Sequence, residues 1–151
     1  MKVFALEAPE TFDGLSGWAG EIPVVVVNAL VSADRKRLTT LHELAHLLLK
    51  FGESFSPKAV ERLCHKFVGA LLMPKDVFVR EFGGNRVQVS VNELCDLKLR
   101  YGISIAAIMA RAKDLGLVTQ EYSIRFNRRS KACRVRKWWP CSNAKPGSRR
   151  A

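Results

Sequence analysis

The sequence predicts an α+β domain in which helices dominate and a short β-sheet forms near the N-terminus. Residues 3–6 and 22–28 are short apolar runs, and the second contains four consecutive valines, as strands do. Residues 38–49 and 58–73 repeat apolar side chains at three- and four-residue steps, which is the period of a helix. A chain of 151 residues is long enough for one domain with a modest core.

In the N-terminal part, the segment between the two strands contains three glycines and begins near a proline. Residues 9–20 are therefore expected to form turns. The first helix follows the second strand, with Ser32 or Asp34 available to cap its start and Gly52 as a plausible stop.

The C-terminal half carries start and stop signals for two further helices. Ser90 and Glu93 have the spacing of a capping box, which predicts a helix ending before Gly102. Ser104 can cap another helix, which is expected to end at Gly116.

The first long helix contains the motif His-Glu-x-x-His at His42, Glu43 and His46. Residues four apart lie on the same face of a helix, so the two histidines can hold one metal ion. The glutamate beside them can take a proton from an attacking water, which is the zincin arrangement. The alternative is an amphipathic helix with two incidental histidines. A neighbouring stripe is expected to pack this helix on the core: Leu38, Leu41, Ala45 and Leu48.

The second long helix offers a third ligand. Ser56 and Pro57 have the pattern of an N-cap followed by proline at the first helical position, and Pro74 ends the helix and starts a brief third one. Glu61 falls on the stripe expected to face the first helix, where an unpaired carboxylate would be costly. Zinc would be its partner; the alternative is a surface glutamate paired with Arg62 or Lys58.

These two blocks resemble the ImmA/IrrE family of zinc metallopeptidases. Residues 40–49 read Thr-Leu-His-Glu-Leu-Ala-His-Leu-Leu-Leu, and residues 61–74 follow Glu-x-x-Cys-His-x-Phe-Val-x-x-Leu-Leu-Met-Pro. The family's second block usually has Ala-Asn where this chain has Cys-His. Residues 13–18 and 23–28 look like the family's β-rich lead-in, and residues 101–117 look like its C-terminal helical segment.

The resemblance covers roughly residues 3–125, and it implies a fold, a cofactor and a substrate class. It implies a zincin-like metallopeptidase domain over residues 1–125, with one Zn²⁺ held by His42, His46 and Glu61. The implied activity is endopeptidase cleavage of a transcriptional repressor or antitoxin-type regulator, with a helix-turn-helix repressor as the expected partner. It also implies a bacterial or phage-like setting in the cytoplasm.

Two departures from the family pattern bear on the metal site. His65 can coordinate in place of Glu61, polarise a substrate carbonyl, or fill the asparagine's hydrogen-bonding role. Cys64 can pack as a small apolar residue, or close the site as a fourth ligand and make it structural. Tyr101 and Tyr122 are candidates for stabilising the oxyanion only because they are the chain's sole tyrosines.

The net charge of +11 is concentrated at the C-terminus. Residues 125–151 contain ten Lys and Arg and no acidic residue. Residues 126–151 are accordingly expected to form a basic tail whose last ten or so residues are disordered. Basic side chains interleaved with aromatic ones are one way to contact nucleic acid. A solvated tail that docks partly through Trp138 and Trp139 is the favoured interpretation.

The composition excludes some classes of protein. No run of 18 uncharged apolar residues is present, so neither a membrane span nor a secretory signal is expected. The four cysteines lack metal-knuckle spacing, which fits a reducing cytoplasm.

The last two predicted helices support a rival hypothesis. Residues 94–112 read as two helices joined by a glycine turn, which superficially matches a helix-turn-helix motif. On this hypothesis the protein binds DNA and its zinc is structural. The second of these helices presents mainly Ile, Ala and Met. These side chains are suited to core packing, whereas recognition of DNA bases needs polar side chains. The sequence therefore favours a zinc-dependent endopeptidase over a non-catalytic regulatory or DNA-binding protein.

Overall fold

A computed structural model describes the backbone of residues 1–135 and the side chains of residues 1–129. The predicted helix-dominated α+β fold is confirmed, with three strands at the N-terminus and six helices among the described residues. The described part of the chain forms two compact units, the first comprising Met1–Leu72 and the second beginning at Met73. The division of the chain into a domain at 1–125 and a tail stays a prediction.

The first unit contains three strands followed by two helices: β1 (Lys2–Leu6), β2 (Gly14–Ala19), β3 (Ile22–Asn28), α1 (Ala33–Leu48) and α2 (Pro57–Leu72). The sheet order is β1-β3-β2, with β1 parallel and β2 antiparallel to the central strand. Helix α1 packs against β2, β3 and α2. The sheet and α2 therefore both pack against α1.

The buried face of β3 determines which residues of β2 face α1. Val25 and Val27 are buried, and their partners on β2 are Ser16 and Gly14. Partners in a register share a face of the sheet, so Gly14 and Ser16 lie on the side that α1 covers.

Buried Asn28 at the end of β3 fixes the connection between β1 and β2. Its side-chain Nδ2 donates to the carbonyl oxygens of Ala8, Pro9 and Phe12 at 2.9–3.1 Å. Its Oδ1 accepts from the backbone N–H of Leu30. A buried amide with all of these partners orders the loop that leads into β2.

Two expectations for the first unit were wrong. The segment expected to form turns contains strand β2, whose small residues hide the usual alternation because they lie against α1. The expected buried stripe of α1 is confirmed at Ala45 and wrong at Leu48, which is 59% exposed, whereas Thr39 outside the stripe is buried. The N-cap is Ser32, although its side chain makes no capping hydrogen bond.

The second unit contains four helices within its described part: α3 (Lys75–Phe82), α4 (Val91–Tyr101), α5 (Ile105–Asp114) and α6 (Gln120–Val135). Its core is formed by Phe78, Phe82, Leu94, Ile108 and Met109, all at most 2% exposed. Phe78 and Phe82 stack one turn apart on α3, which extends further than the brief helix that the sequence predicts.

The predicted caps of α4 and α5 are confirmed. Ser90 and Glu93 form the capping box of α4, and Gly102 ends that helix at a φ of 62°. The Ser104 side chain accepts from the N–H of Ala107 at the start of α5, and Gly116 follows its end at a φ of 72°. Residues 94–112 are thus two capped helices whose second member buries Ile108 and Met109.

Helix α6 is not predicted by the sequence pattern. It extends to Val135, so the first ten residues of the expected basic tail are helical, and no glycine or proline interrupts that stretch. The expected disorder of the last ten residues and the docking of Trp138 and Trp139 concern positions outside the described residues. None of the described helices is long and apolar enough to cross a membrane.

Candidate metal centre

Three side chains of the first unit bring potential metal-ligating atoms together. Nε2 of His42 lies 3.0 Å from Oε2 of Glu61, and Nε2 of His46 lies 3.2 Å from Oε1 of the same carboxylate. The two Nε2 atoms are 3.2 Å apart. Among the described residues, these three form the one group of His, Cys, Asp and Glu side chains that could hold a metal ion.

The spacing of these atoms fits a small divalent cation. Ligand atoms about 2.0–2.1 Å from zinc at tetrahedral angles lie roughly 3.3–3.4 Å apart. The separations of 3.0–3.2 Å are close to that value. Two imidazole nitrogens and a carboxylate are also the donor set that zinc accepts in hydrolytic sites. The residues present therefore fit the metal.

The three possible ligands, which come from two helices, differ in solvent exposure. His42 and His46 are one turn apart on α1, and Glu61 comes from the second turn of α2. The exposed fractions of the side chains are 12%, 26% and 54%, respectively. Glu61 is half exposed, so the burial expected from its position on the apolar stripe is wrong, and its carboxylate contacts both histidines. The site thus opens to solvent on its α2 side.

The far nitrogen of His46 has a partner within the protein. Sγ of Cys64 lies 3.6 Å from Nδ1 of His46, on the opposite side of the ring from Nε2. Cys64 is completely buried. Burial raises the pKa of the Cys64 thiol, and the negative charges of Glu61 and Glu43 raise it further. Both effects favour the protonated thiol over the thiolate when no metal is bound.

His42 is held differently. Its Nδ1 is buried and has no hydrogen-bond partner among the described residues. Its ring lies against the ring of His65, with centroids 4.3 Å apart and an interplanar angle of 33°. The geometry brings His65 next to a ligand, whereas the group of three possible ligands does not include it.

Glu43 lies next to the ligands on α1 and is held from the sheet. The Ser16 hydroxyl on β2 donates to Oε2 of Glu43 at 2.7 Å. A Cβ at Gly14 would lie 2.6 Å from Cγ2 of Thr39 and 3.5 Å from Cγ of Glu43. Glycine thus lets β2 approach α1 closely enough for Ser16 to reach the carboxylate. Neither Gly14 nor Ser16 was identified from the sequence, because the small residues of that segment predict turns.

Both tyrosines belong to the second unit. The Tyr122 hydroxyl accepts from the backbone N–H of Val89, and its ring lies under the guanidinium of Arg125 at 5.7 Å. Tyr101 is the last residue of α4. Tyr122 thus has a structural hydrogen bond within its own unit.

The comparison with known protein families identifies the family of this chain. Residues 1–113 match the family described as IrrE N-terminal-like domain, Peptidase_M78, which covers the whole first unit and the helices up to α5. No curated protein matches the chain. The family is a metallopeptidase family, so a metal is implied, and His42, His46 and Glu61 lie together where one would bind. This chain belongs to the IrrE N-terminal-like family of peptidases.

Proposed function

We propose that this protein is a zinc-dependent endopeptidase that cleaves a transcriptional repressor or an antitoxin-type regulator. The observation that carries the proposal is the meeting of His42, His46 and Glu61 within 3.2 Å beside a carboxylate that is not a ligand. A structural zinc site usually has four protein ligands, whereas a hydrolytic site usually has three. Three ligands and a neighbouring glutamate favour hydrolysis.

The metal identity rests on the donor set. Two histidines and a glutamate occur in zinc peptidases, whereas magnesium and calcium sites are built from oxygen donors. When bound, zinc would lower the pKa of a water molecule and polarise the scissile carbonyl. His42, His46 and Glu61 would hold it there.

The proton transfers belong to Glu43. The Ser16 hydroxyl occupies Oε2 of Glu43, which leaves Oε1 to take the proton from the attacking water. The same oxygen then returns the proton to the leaving amine, so the glutamate acts first as base and then as acid. Ser16 keeps the carboxylate in one orientation through both steps.

The substrate class is supported by the resemblance to the ImmA/IrrE family. A helix-turn-helix regulator is the proposed protein partner, and its cleavage would relieve repression. The half-exposed Glu61 on the solvent side of the site is compatible with a protein segment reaching the metal from outside.

The experiment uses purified helix-turn-helix regulators from the same organism, together with a proteome-derived peptide library. We expect the zinc-loaded protein to cut one regulator at a discrete position, as mass spectrometry of new N-termini would detect. Glu43→Gln should bind as much zinc and cut about 10²–10⁴-fold more slowly, because it keeps the shape and loses the base. Equal turnover by this variant would refute the role of Glu43, and no cleavage of any protein or peptide by the zinc-loaded wild type would refute the endopeptidase.

A further inference from the structure

The buried thiol of Cys64 has no role in the proposed reaction, yet it contacts one of the metal-ligating side chains. Its Sγ lies 3.6 Å from Nδ1 of His46, within the distance of a hydrogen bond to sulfur. The other nitrogen of that ring, Nε2, lies among the ligand atoms, 3.2 Å from both Glu61 and His42. One imidazole therefore spans from the metal-ligating group to the thiol.

The chemistry of imidazole determines the direction of that hydrogen bond. A histidine that binds a metal through Nε2 is neutral, so its one ring proton is on Nδ1. This N–H points at Sγ of Cys64 and donates to it. Metal-ligating histidines usually donate to a carboxylate, a carbonyl or water, and such partners fix the tautomer and orientation of the ring.

We propose that Cys64 is a positioning residue for His46: its sulfur accepts the Nδ1–H and holds Nε2 toward the metal. This inference rests on the proposed function, since it assigns an outer contact to the same metal site. It differs from the hypothesis in which the thiolate is a fourth ligand, because Sγ lies beside the wrong nitrogen for that. The group of possible ligands among the described residues accordingly leaves Cys64 out.

The two histidines of the site are thus supported unequally. Nδ1 of His42 has no hydrogen-bond partner among the described residues, and its ring is held by packing against His65. His46 is more exposed than His42, 26% against 12%, so it has more room to rotate. A hydrogen bond at Nδ1 should therefore restrict the orientation of the His46 ring more than that of the His42 ring.

The test measures zinc affinity by competition with a chromophoric chelator, and the electronic spectrum of the cobalt-substituted protein. Removing an outer contact of this kind typically lowers metal affinity by about 10- to 100-fold, so we expect Cys64→Ala to do so. Alanine is the residue that the resembling family usually has here, which favours a folded variant. Cys64→Ser keeps an acceptor and should bind zinc more tightly than Cys64→Ala.

Val68→Ala is the matched control, since Val68 lies one turn further along α2, is 1% exposed and carries no polar side-chain atom. It should bind zinc like the wild type even if it is less stable. The cobalt spectrum should shift between wild type and Cys64→Ala without a sulfur-to-cobalt charge-transfer band in either.

Two results would overturn the inference while leaving the proposed function intact: zinc affinity of Cys64→Ala indistinguishable from wild type, or an equal loss in Val68→Ala. A charge-transfer band that disappears with the thiol would make Cys64 a fourth ligand, and it would contradict the inference and the open hydrolytic site together. A wild-type protein that binds no zinc would instead refute the proposed function itself.

Discussion

Glu43 and Glu61 carry the same carboxylate, and we propose different roles for them because their neighbours differ. Glu61 lies 3.0–3.2 Å from two imidazole nitrogens, which is the environment of a ligand. Glu43 accepts a hydrogen bond from Ser16 and stays outside the group of ligands, which is the environment of a base. The proposed ligand is thus distinguished by its contacts with two histidines, and the proposed base by its hydrogen bond from a hydroxyl on β2.

Replacing Ser16 by Ala should slow cleavage without loss of the metal. The hydroxyl does not touch the ligand atoms, but without it Glu43 can rotate away from the attacking water. Misplacement of a reacting group by an ångström lowers turnover by up to about 100-fold, which sets the expected range. The measurement compares kcat with zinc content for wild type, Ser16→Ala and Ser16→Thr.

Ser16→Thr keeps the hydroxyl and should retain most of the turnover. Loss of zinc from Ser16→Ala would mean that Ser16 supports the fold of the site instead of the base. Unchanged kcat with full zinc content would mean that the hydrogen bond to Glu43 does not contribute.

The sequence was sufficient for some of these residues and insufficient for others. His42, Glu43 and His46 lie within one helix, so their spacing alone places them. Glu61 required a second helix in the right register, which the capping pattern at Ser56 and Pro57 and the family resemblance supplied. Ser16 reaches Glu43 across 27 residues of chain, and no local pattern encodes that pairing.

At the scale of elements, the approach of β2 to α1 determines where the Glu43 carboxylate is held. A Cβ at Gly14 would lie 2.6 Å from Thr39 Cγ2 and 2.9 Å from the carbonyl oxygen of Val26, both too close for a real contact. Gly17, on the same strand, has nothing within 4 Å of its would-be Cβ. These two glycines form a matched pair.

Gly14→Ala should destabilise the protein by about 1–3 kcal/mol through overpacking, whereas Gly17→Ala should change stability little. The measurement is the urea midpoint of unfolding of each variant. Zinc is removed first, so that the midpoint reports packing and not metal binding. Equal midpoints for the two variants would contradict the close approach of β2 and α1.

The capping box of α4 makes a second testable element. The backbone N–H of Ser90 and the guanidinium of Arg86 both donate to Glu93 and lower the pKa of its carboxyl, with the Ser90 contact the larger cause. A carboxyl with a lowered pKa in the folded state stabilises the fold above its ordinary pKa, and that stabilisation is lost as the pH falls through the lowered value.

Glu93→Gln should therefore be less stable than wild type at pH 7, and the difference should vanish in acid. Urea midpoints as a function of pH would measure it, with Glu53→Gln at an exposed loop position as the control. A difference that persists undiminished in acid would show that the charge of Glu93 is not responsible.

The sequence predicted those elements whose boundaries depend on residues close together in the chain. The caps at Ser90 and Ser104 and the glycine stops depend on a few adjacent residues, and the structure has them where they were expected. Strand β2 is made of small residues whose pairing with β3 is not visible locally. Helix α6 is largely polar, so it lacked the apolar period that marks the other helices.

For the whole molecule, metal binding should be linked to stability. The three ligands come from α1 and α2 within the first unit, so an ion joining them binds the folded state of that unit and not the unfolded chain. At a free zinc concentration of 100 times Kd the linkage is worth about 2.7 kcal/mol.

Thermal or urea unfolding with excess zinc and with EDTA would measure this difference. The transition of the wild type should move to higher temperature with zinc, and that of Glu61→Ala should not. A zinc-induced shift of the same size in both proteins would place the stabilising ion elsewhere.

The measurement that tests the central claim most directly is the zinc content per chain, by elemental mass spectrometry, of wild type, Glu61→Ala and Glu53→Ala. The first variant removes a proposed ligand, and the second removes an exposed carboxylate of the same unit that is not a ligand. We expect about one zinc per chain in the wild type and in Glu53→Ala, as a three-ligand site requires. Glu61→Ala should lose most of its zinc during dialysis. Full retention of zinc in Glu61→Ala, or no zinc in the wild type, would contradict the account.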